Sequence, residues 1–98
     1  MESELINWFQ EWFNSNCDGE WEHSHGLTIE SLDNPGWFVK IDLRDTLLEF
    51  KLIQNDVVDN GNMDWHQIKI VDFHFQGAGS PNKLNYIIQK FREFATMN

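Results

Sequence analysis

The stretch Cys17-Asp18-Gly19-Glu20-Trp21-Glu22-His23-Ser24-His25-Gly26 places three acids, two histidines, a thiol and a tryptophan within ten residues. Three chemistries are open to such a cluster. A metal could be held by His23 and His25, which share one side of an extended segment, with Glu20 or Glu22. A small active site could use Glu22, His23 and His25 as acid and base. An acidic surface could receive a basic partner. Zinc needs three or four ligands that converge. Cys17 lies six residues from His23, and His66 and His74 are distant in the chain. No third ligand stands at a recognised offset, so no metal is expected. Catalysis needs a nucleophile with a positioned base, or a paired acid and base. No spacing here singles out such a set. Gly77-Ala78-Gly79-Ser80 lacks the GxxxxGK[ST] phosphate-loop pattern and reads as a connection into a helix. No catalytic residue and no cofactor is expected. A small hydrolase or metal-binding enzyme using Glu22, His23 and His25 stands as the alternative.

Composition favours the acidic-surface reading. The chain has 98 residues and a net charge of −9, enough for one domain over residues 1–98 and too few for two. All seven lysines and arginines follow residue 39, whereas eight of the sixteen acids precede it. Phosphate contacts need a basic face, so direct nucleic-acid binding is disfavoured. A basic protein partner would be attracted and steered. The candidate contact residues are Asp18, Glu20, Glu22, His23 and Asp33. The single cysteine excludes an internal disulfide and suits a reducing compartment. Cys17 itself reads as a half-buried thiol at a helix end. No apolar run approaches the ~20 residues of a membrane span. The start, MESELINWF, is acidic where a secretory signal is basic. A cytoplasmic, unprocessed chain is expected, with no membrane partner, as a monomer or weak homodimer.

The elements that position the cluster follow from periodicity. Leu5, Trp8, Phe9, Trp12 and Phe13 form one helical stripe over residues 3–14, with Ser3 as N-cap. Leu27 and Ile29 begin a strand, and Asp33-Asn34-Pro35-Gly36 suits a type II turn. Trp37, Val39, Ile41 and Leu43 alternate with Phe38, Lys40, Asp42 and Arg44 as a second strand. Thr46, Leu48, Phe50 and Leu52 read as a third. Residues 54–64 read as a polar loop. A fourth strand is expected over 65–75, where the alternation slips between Ile70 and Val71, either at a β-bulge or because both faces are buried. Leu84, Ile87, Ile88, Phe91, Phe94 and Ala95 give a final helix over about 81–95, with Ser80 as cap and Pro81 as its first residue. The fold class is therefore α+β: a four-stranded antiparallel meander sheet flanked by an N-terminal and a C-terminal helix. Both helices should cover one sheet face and leave the other partly open. Trp37 reads more readily as core than as interface, and Trp21 suits either.

Several of these segments are similar to one family. Cys17-Asp18-Gly19-Glu20-Trp21-Glu22-His23, Ser31-Leu32-Asp33-Asn34-Pro35-Gly36-Trp37 and Asp64-Trp65 occur in the order seen in immunity protein 53 of bacterial polymorphic toxin systems. Phe75-Gln76-Gly77-Ala78-Gly79 and the helix from Leu84 to Phe91 resemble it too. The resemblance spans nearly the whole chain, with Trp21, Glu22, Pro35, Gly36 and Trp37 on its motif positions. It implies a small α+β cytoplasmic protein, not an enzyme, that binds and neutralises a cognate toxin domain. It implies no contact list, because motifs shared by a family are often structural while toxin contacts vary. Charge alone suggests that the toxin is basic, with a nuclease as one candidate. An adaptor domain unrelated to toxins is a further alternative.

Overall fold

The computed structural model describes residues 2–97, with side chains from residue 4. The elements in order are α1 (Glu2–Asn16), α2 (Trp21–Ser24), β1 (Leu27–Leu32), β2 (Gly36–Asp42), β3 (Asp56–Asp59), β4 (Trp65–Val71), β5 (His74–Gly79) and α3 (Leu84–Thr96). This is an α+β fold with helices at both ends of the chain and an antiparallel sheet between them. The sheet has five strands rather than four, in the order β1-β2-β5-β4-β3. It is not a simple meander. The β1–β2 hairpin lies against β5, and the chain crosses from β2 to the far edge before building β3, β4 and β5.

Three strand expectations are corrected. Residues 46–52 form a succession of turns, not a strand. Thr46, Glu49 and Lys51 donate their backbone N–H groups to Leu43, Thr46 and Leu48 carbonyls at 3.1, 3.3 and 3.0 Å. Of the expected inward series, only Leu48 is buried among its apolar members, and Phe50 and Leu52 are exposed. The polar loop contains the short β3, paired with β4 through Asp56↔Ile68 to Asp59↔Trp65. The expected 65–75 strand is a hairpin. Asp72 and Phe73 take positive φ angles of 49° and 65° between β4 and β5. Two left-handed residues are what a two-residue hairpin turn of matching twist requires. The parity slip near Ile70-Val71 thus marks the approach to a reversal of the chain, with the two strands paired Ile70↔Phe75 and Val71↔His74.

The remaining corrections concern turns and caps. Gly36 opens β2 opposite Leu32 and does not take the positive φ that the third position of a type II turn requires, so the β1–β2 turn is not type II. α1 begins at Glu2, before Ser3, whose side chain lies outside those described. α3 begins at Leu84, with Lys83 rather than Ser80 at its N-cap. Ser80 is instead fully buried, and its hydroxyl accepts the Trp65 N–H at 3.2 Å and donates to Asn82 Oδ1 at 3.0 Å.

One face of the sheet carries the core. Val39, Ile41, Ile68 and Phe75 point from it into a cluster with Leu5 and Phe9 of α1 and Ile87, Ile88, Phe91 and Phe94 of α3. Phe91 is the hub, with ring centroids 4.8 Å from Trp12 and 5.1 Å from Phe75. Both helices therefore share one face. The Gly-Ala-Gly segment is strand β5, and its glycines let α3 approach. A Cβ at Gly77 would lie 2.5 Å from Ile87 Cγ2, and one at Gly79 would lie 2.7 Å from Lys83 Cβ.

Candidate functional site

The reactive stretch folds as a tight turn into a single helical turn, not as a strand. Asp18 Oδ1 accepts the N–H groups of Glu20 and Trp21 at 2.9 and 3.0 Å. Glu22 reaches back and accepts the N–H groups of Asp18 and Gly19 at 2.9 and 2.8 Å. The two carboxylates brace each other's backbone, by the logic of a capping box. The N–H groups of Trp21 and Glu20 hold Asp18 below its ordinary pKa. The N–H groups of Glu22 itself, Asp18 and Gly19 do the same for Glu22. The segment is nailed to α1 by Trp21, which is buried between Trp12 and Phe13 at centroid distances of 5.8 and 5.7 Å. Cys17 is half-buried and donates to the Phe13 carbonyl, and loss of solvent, then Glu22 and Asp18, raise its pKa. A thiol so placed is poorly suited to nucleophilic attack.

His25, at the end of α2, turns away from Glu22 and towards the start of the β2–β3 crossing. Its Nδ1 lies 3.2 Å from Asp42 Oδ2, without hydrogen-bond alignment, and its Nε2 lies 3.2 Å from Asp45 Oδ2. Asp42 is buried at the end of β2 and gathers further partners. Arg44 donates from Nε at 3.0 Å and Nη2 at 2.6 Å, and His74 Nε2 lies at 3.2 Å. Burial pushes the Asp42 carboxyl up, but the Arg44 side chain and backbone N–H, then His74, draw it down to about 2. Over this cluster lies a cleft of about 220 Å³ that Lys40 and Thr28 also line. Periodicity gave no sign of this cluster. The only signal was His74, which immediately follows the unrecognised turn at Asp72-Phe73.

The five expected contact residues do not form one surface. Asp18, Glu20, Glu22 and His23 sit together at α2, and Glu20 and His23 are exposed. Asp33 lies beyond the other end of β1, about 20 Å away along a six-residue strand. Among the described residues, Glu22 is hydrogen-bonded to the Asp18 and Gly19 N–H groups and His25 faces Asp42 and Asp45, with no hydrogen bond joining Glu22 to His23 or His25. Nor does any group of three or more described His, Cys, Asp and Glu side chains have an arrangement that could hold a metal ion.

Charge separates along the molecule in the way the sequence suggests. Among the described side chains before residue 39, only Glu4 meets a lysine or arginine, Arg92 at 3.4 Å. The later acids are more often paired: Asp42 with Arg44, Asp64 with Lys83 at 3.0 Å, and Asp56 with His66 at 3.1 Å. Asp56 also accepts the Tyr86 hydroxyl at 2.7 Å, which ties β3 to α3. Burial, and then the Asp56 carboxylate, push the Tyr86 phenol up to about 12. No helix among the described residues is long and apolar enough to cross a membrane.

The described structure is thus an α+β fold whose acidic N-terminal flank is largely without lysine or arginine partners. The chain belongs to the immunity protein 53 family, whose profile matches residues 6–96. Immunity proteins neutralise toxins and as a class act by binding rather than catalysis, so a protein toxin is the class of partner. No curated protein and no solved structure matches the chain.

Proposed function

We propose that this protein binds and neutralises a basic cognate toxin domain in the cytoplasm. A nuclease is the toxin class that best suits the charge, since a nuclease needs a basic face for its own substrate. The observation that carries the reading is the acidic, largely unpaired N-terminal half, against a better-paired remainder. Glu20 and His23 are the proposed contacts at α2. Asp18 and Glu22 hold the turn that presents them. Asp33, at the far end, adds to the long-range field. The free protein is a monomer or weak homodimer that contacts neither nucleic acid nor membrane. The test is reconstitution with the toxin domain encoded beside it. A stoichiometric complex and loss of toxicity are expected. Absence of a complex at micromolar concentrations, with toxicity unchanged, would contradict the proposal.

A further inference from the structure

The end of the sheet next to α2 carries apolar side chains that the core does not use. The β2–β3 crossing, residues 43–55, runs across this end and past the β4–β5 turn. Leu47 is fully exposed, Phe50 is 79% exposed and Leu52 is 82% exposed. Phe73, at the tip of the hairpin, is 43% exposed and meets Phe50 edge to face at 6.0 Å. Phe50 and Phe73 form one exposed aromatic pair, and Leu47 adds its side chain from the same crossing, the kind of exposed apolar surface that marks interaction sites.

The patch is held in place. Leu43 donates its N–H to the Phe73 carbonyl at 2.8 Å, which ties crossing to hairpin tip. Thr46 Oγ1 donates to the Leu43 carbonyl at 2.8 Å and accepts the Leu48 N–H at 3.0 Å. Leu48, buried between the exposed residues, anchors the segment to the core. Phe73 also sits at a φ of 65°, in the left-handed region that bulky L-residues rarely adopt. An aromatic ring held there while half exposed contributes little to folding in return. Strained residues of this kind concentrate at binding sites.

The rim identifies the occupant. Asp45 and Asp72 are exposed, and Glu49 is partly exposed. Of the nearby bases, Arg44 is held by Asp42, and Lys51 by the Met97 carbonyl and the Phe94 ring, while the exposed Lys40 on the Asp42 cleft stands against three rim acids. The charge left for a partner is negative. His25 bridges Asp45 to α2, so the patch continues into the acidic turn.

We infer that the Leu47–Phe50–Phe73 patch is the anchoring surface for the basic toxin domain, with Asp45, Glu49 and Asp72 as its rim. The inference rests on the neutralisation reading above and adds where the complex is held. An aromatic anchor at the centre of an interface, ringed by polar groups, is where binding energy concentrates.

The test compares the full-length parent with Leu47→Ala/Phe50→Ala and with Met63→Ala. Met63 is an exposed apolar residue in the β3–β4 turn at the opposite end of the sheet. The probe is the purified toxin domain encoded beside the gene, in an inactive form. Thermal melting checks that each variant is folded, and sedimentation reports self-association. The double variant should bind about 30-fold more weakly or worse, as expected for loss of an interface hot spot, and Met63→Ala should match the parent. A double variant within threefold of a tightly binding parent overturns the anchoring surface and leaves neutralisation standing. A parent that does not bind overturns neutralisation, and the anchoring surface with it. A parent dimer that the double variant breaks, with toxin binding intact, would show that a second copy covers the patch and would also overturn the inference.

Discussion

The α3–β5 contact and the β2–β3 crossing both bring apolar residues to the sheet, and they use them in opposite ways. At β5 two glycines remove their side chains so that Ile87 and Lys83 fit against the strand. Phe75, Ile87 and Phe91 there are fully buried. In the crossing, Leu48 goes inward, while Leu47, Phe50 and Leu52 stand in solvent. The backbone is ordered in both places, by strand and helix in one and by linked turns in the other. The difference lies in what covers the side chains. Apolar area at β5 has been removed from water within the chain, and that in the crossing is left for something outside it.

This contrast can be broken by substitution. Phe91→Ala empties the hub of the first region and should cost about 3–5 kcal/mol, measured by denaturant unfolding. Retention of nearly full stability would mean that α3 does not pack as described. Gly77→Ala should cost about 1–3 kcal/mol, because the added methyl overlaps Ile87 Cγ2 and the helix must shift. A stability equal to the parent would mean that α3 yields to the methyl at no cost, and that the close approach at Gly77 is not what seats the helix.

Asp42, which fixes the start of the crossing, gives a pH-dependent prediction. Its pKa is depressed from 3.8 to about 2 in the folded chain. Its contribution is therefore present in full above about pH 4 and is lost as pH falls towards 2. The amount is at most about 2.5 kcal/mol, less whatever solvent reaches through the partly exposed Arg44. The stability difference between the parent and Asp42→Asn should shrink across that window. A difference independent of pH would mean that the cluster is not ionic in solution. Smallest of all, Leu47→Ala and Phe50→Ala should each change stability by less than about 0.5 kcal/mol. A loss of about 2 kcal/mol or more from either would place that side chain in the core.

The two regions also differ in how far they could be read from the sequence. The helix stripes of Leu5, Phe9, Phe91 and Phe94 repeat with a period that only a helix satisfies, and the strand over 36–42 alternates cleanly. Those elements, and the packing of both helices on one face, were legible. The crossing was not, because Thr46, Leu48, Phe50 and Leu52 alternate as a strand would. Alternation records a period of two and says nothing of whether a neighbouring strand is there to receive it. The hairpin at Asp72-Phe73 was hidden because its left-handed positions carry no glycine or asparagine, the residues that usually announce such a turn. At the acidic turn, composition drew attention to Asp18 and Glu22. It could not reveal that both carboxylates are spent on backbone N–H groups, since that depends on the local fold. Asp33 was grouped with them by charge alone, and β1 carries it away.

If the acidic half attracts the toxin and the apolar patch retains it, the two effects should separate kinetically. The measurement is the association and dissociation rate of the inactive toxin domain against ionic strength, for the parent, Glu20→Lys/Asp33→Lys, Phe50→Ala and Glu93→Lys. Salt screens charge over a Debye length of about 8 Å at physiological strength. The parent's association should slow as salt rises, and the Glu20/Asp33 reversal should slow it at low salt and flatten that dependence. Phe50→Ala should leave association nearly unchanged and speed dissociation. Glu93, on α3 and paired with Lys90 at 3.6 Å, should be nearly silent on reversal. Association that ignores salt in the parent, or that slows as much in Glu93→Lys as in the Glu20/Asp33 variant, would contradict the central claim that the acidic N-terminal half steers the toxin.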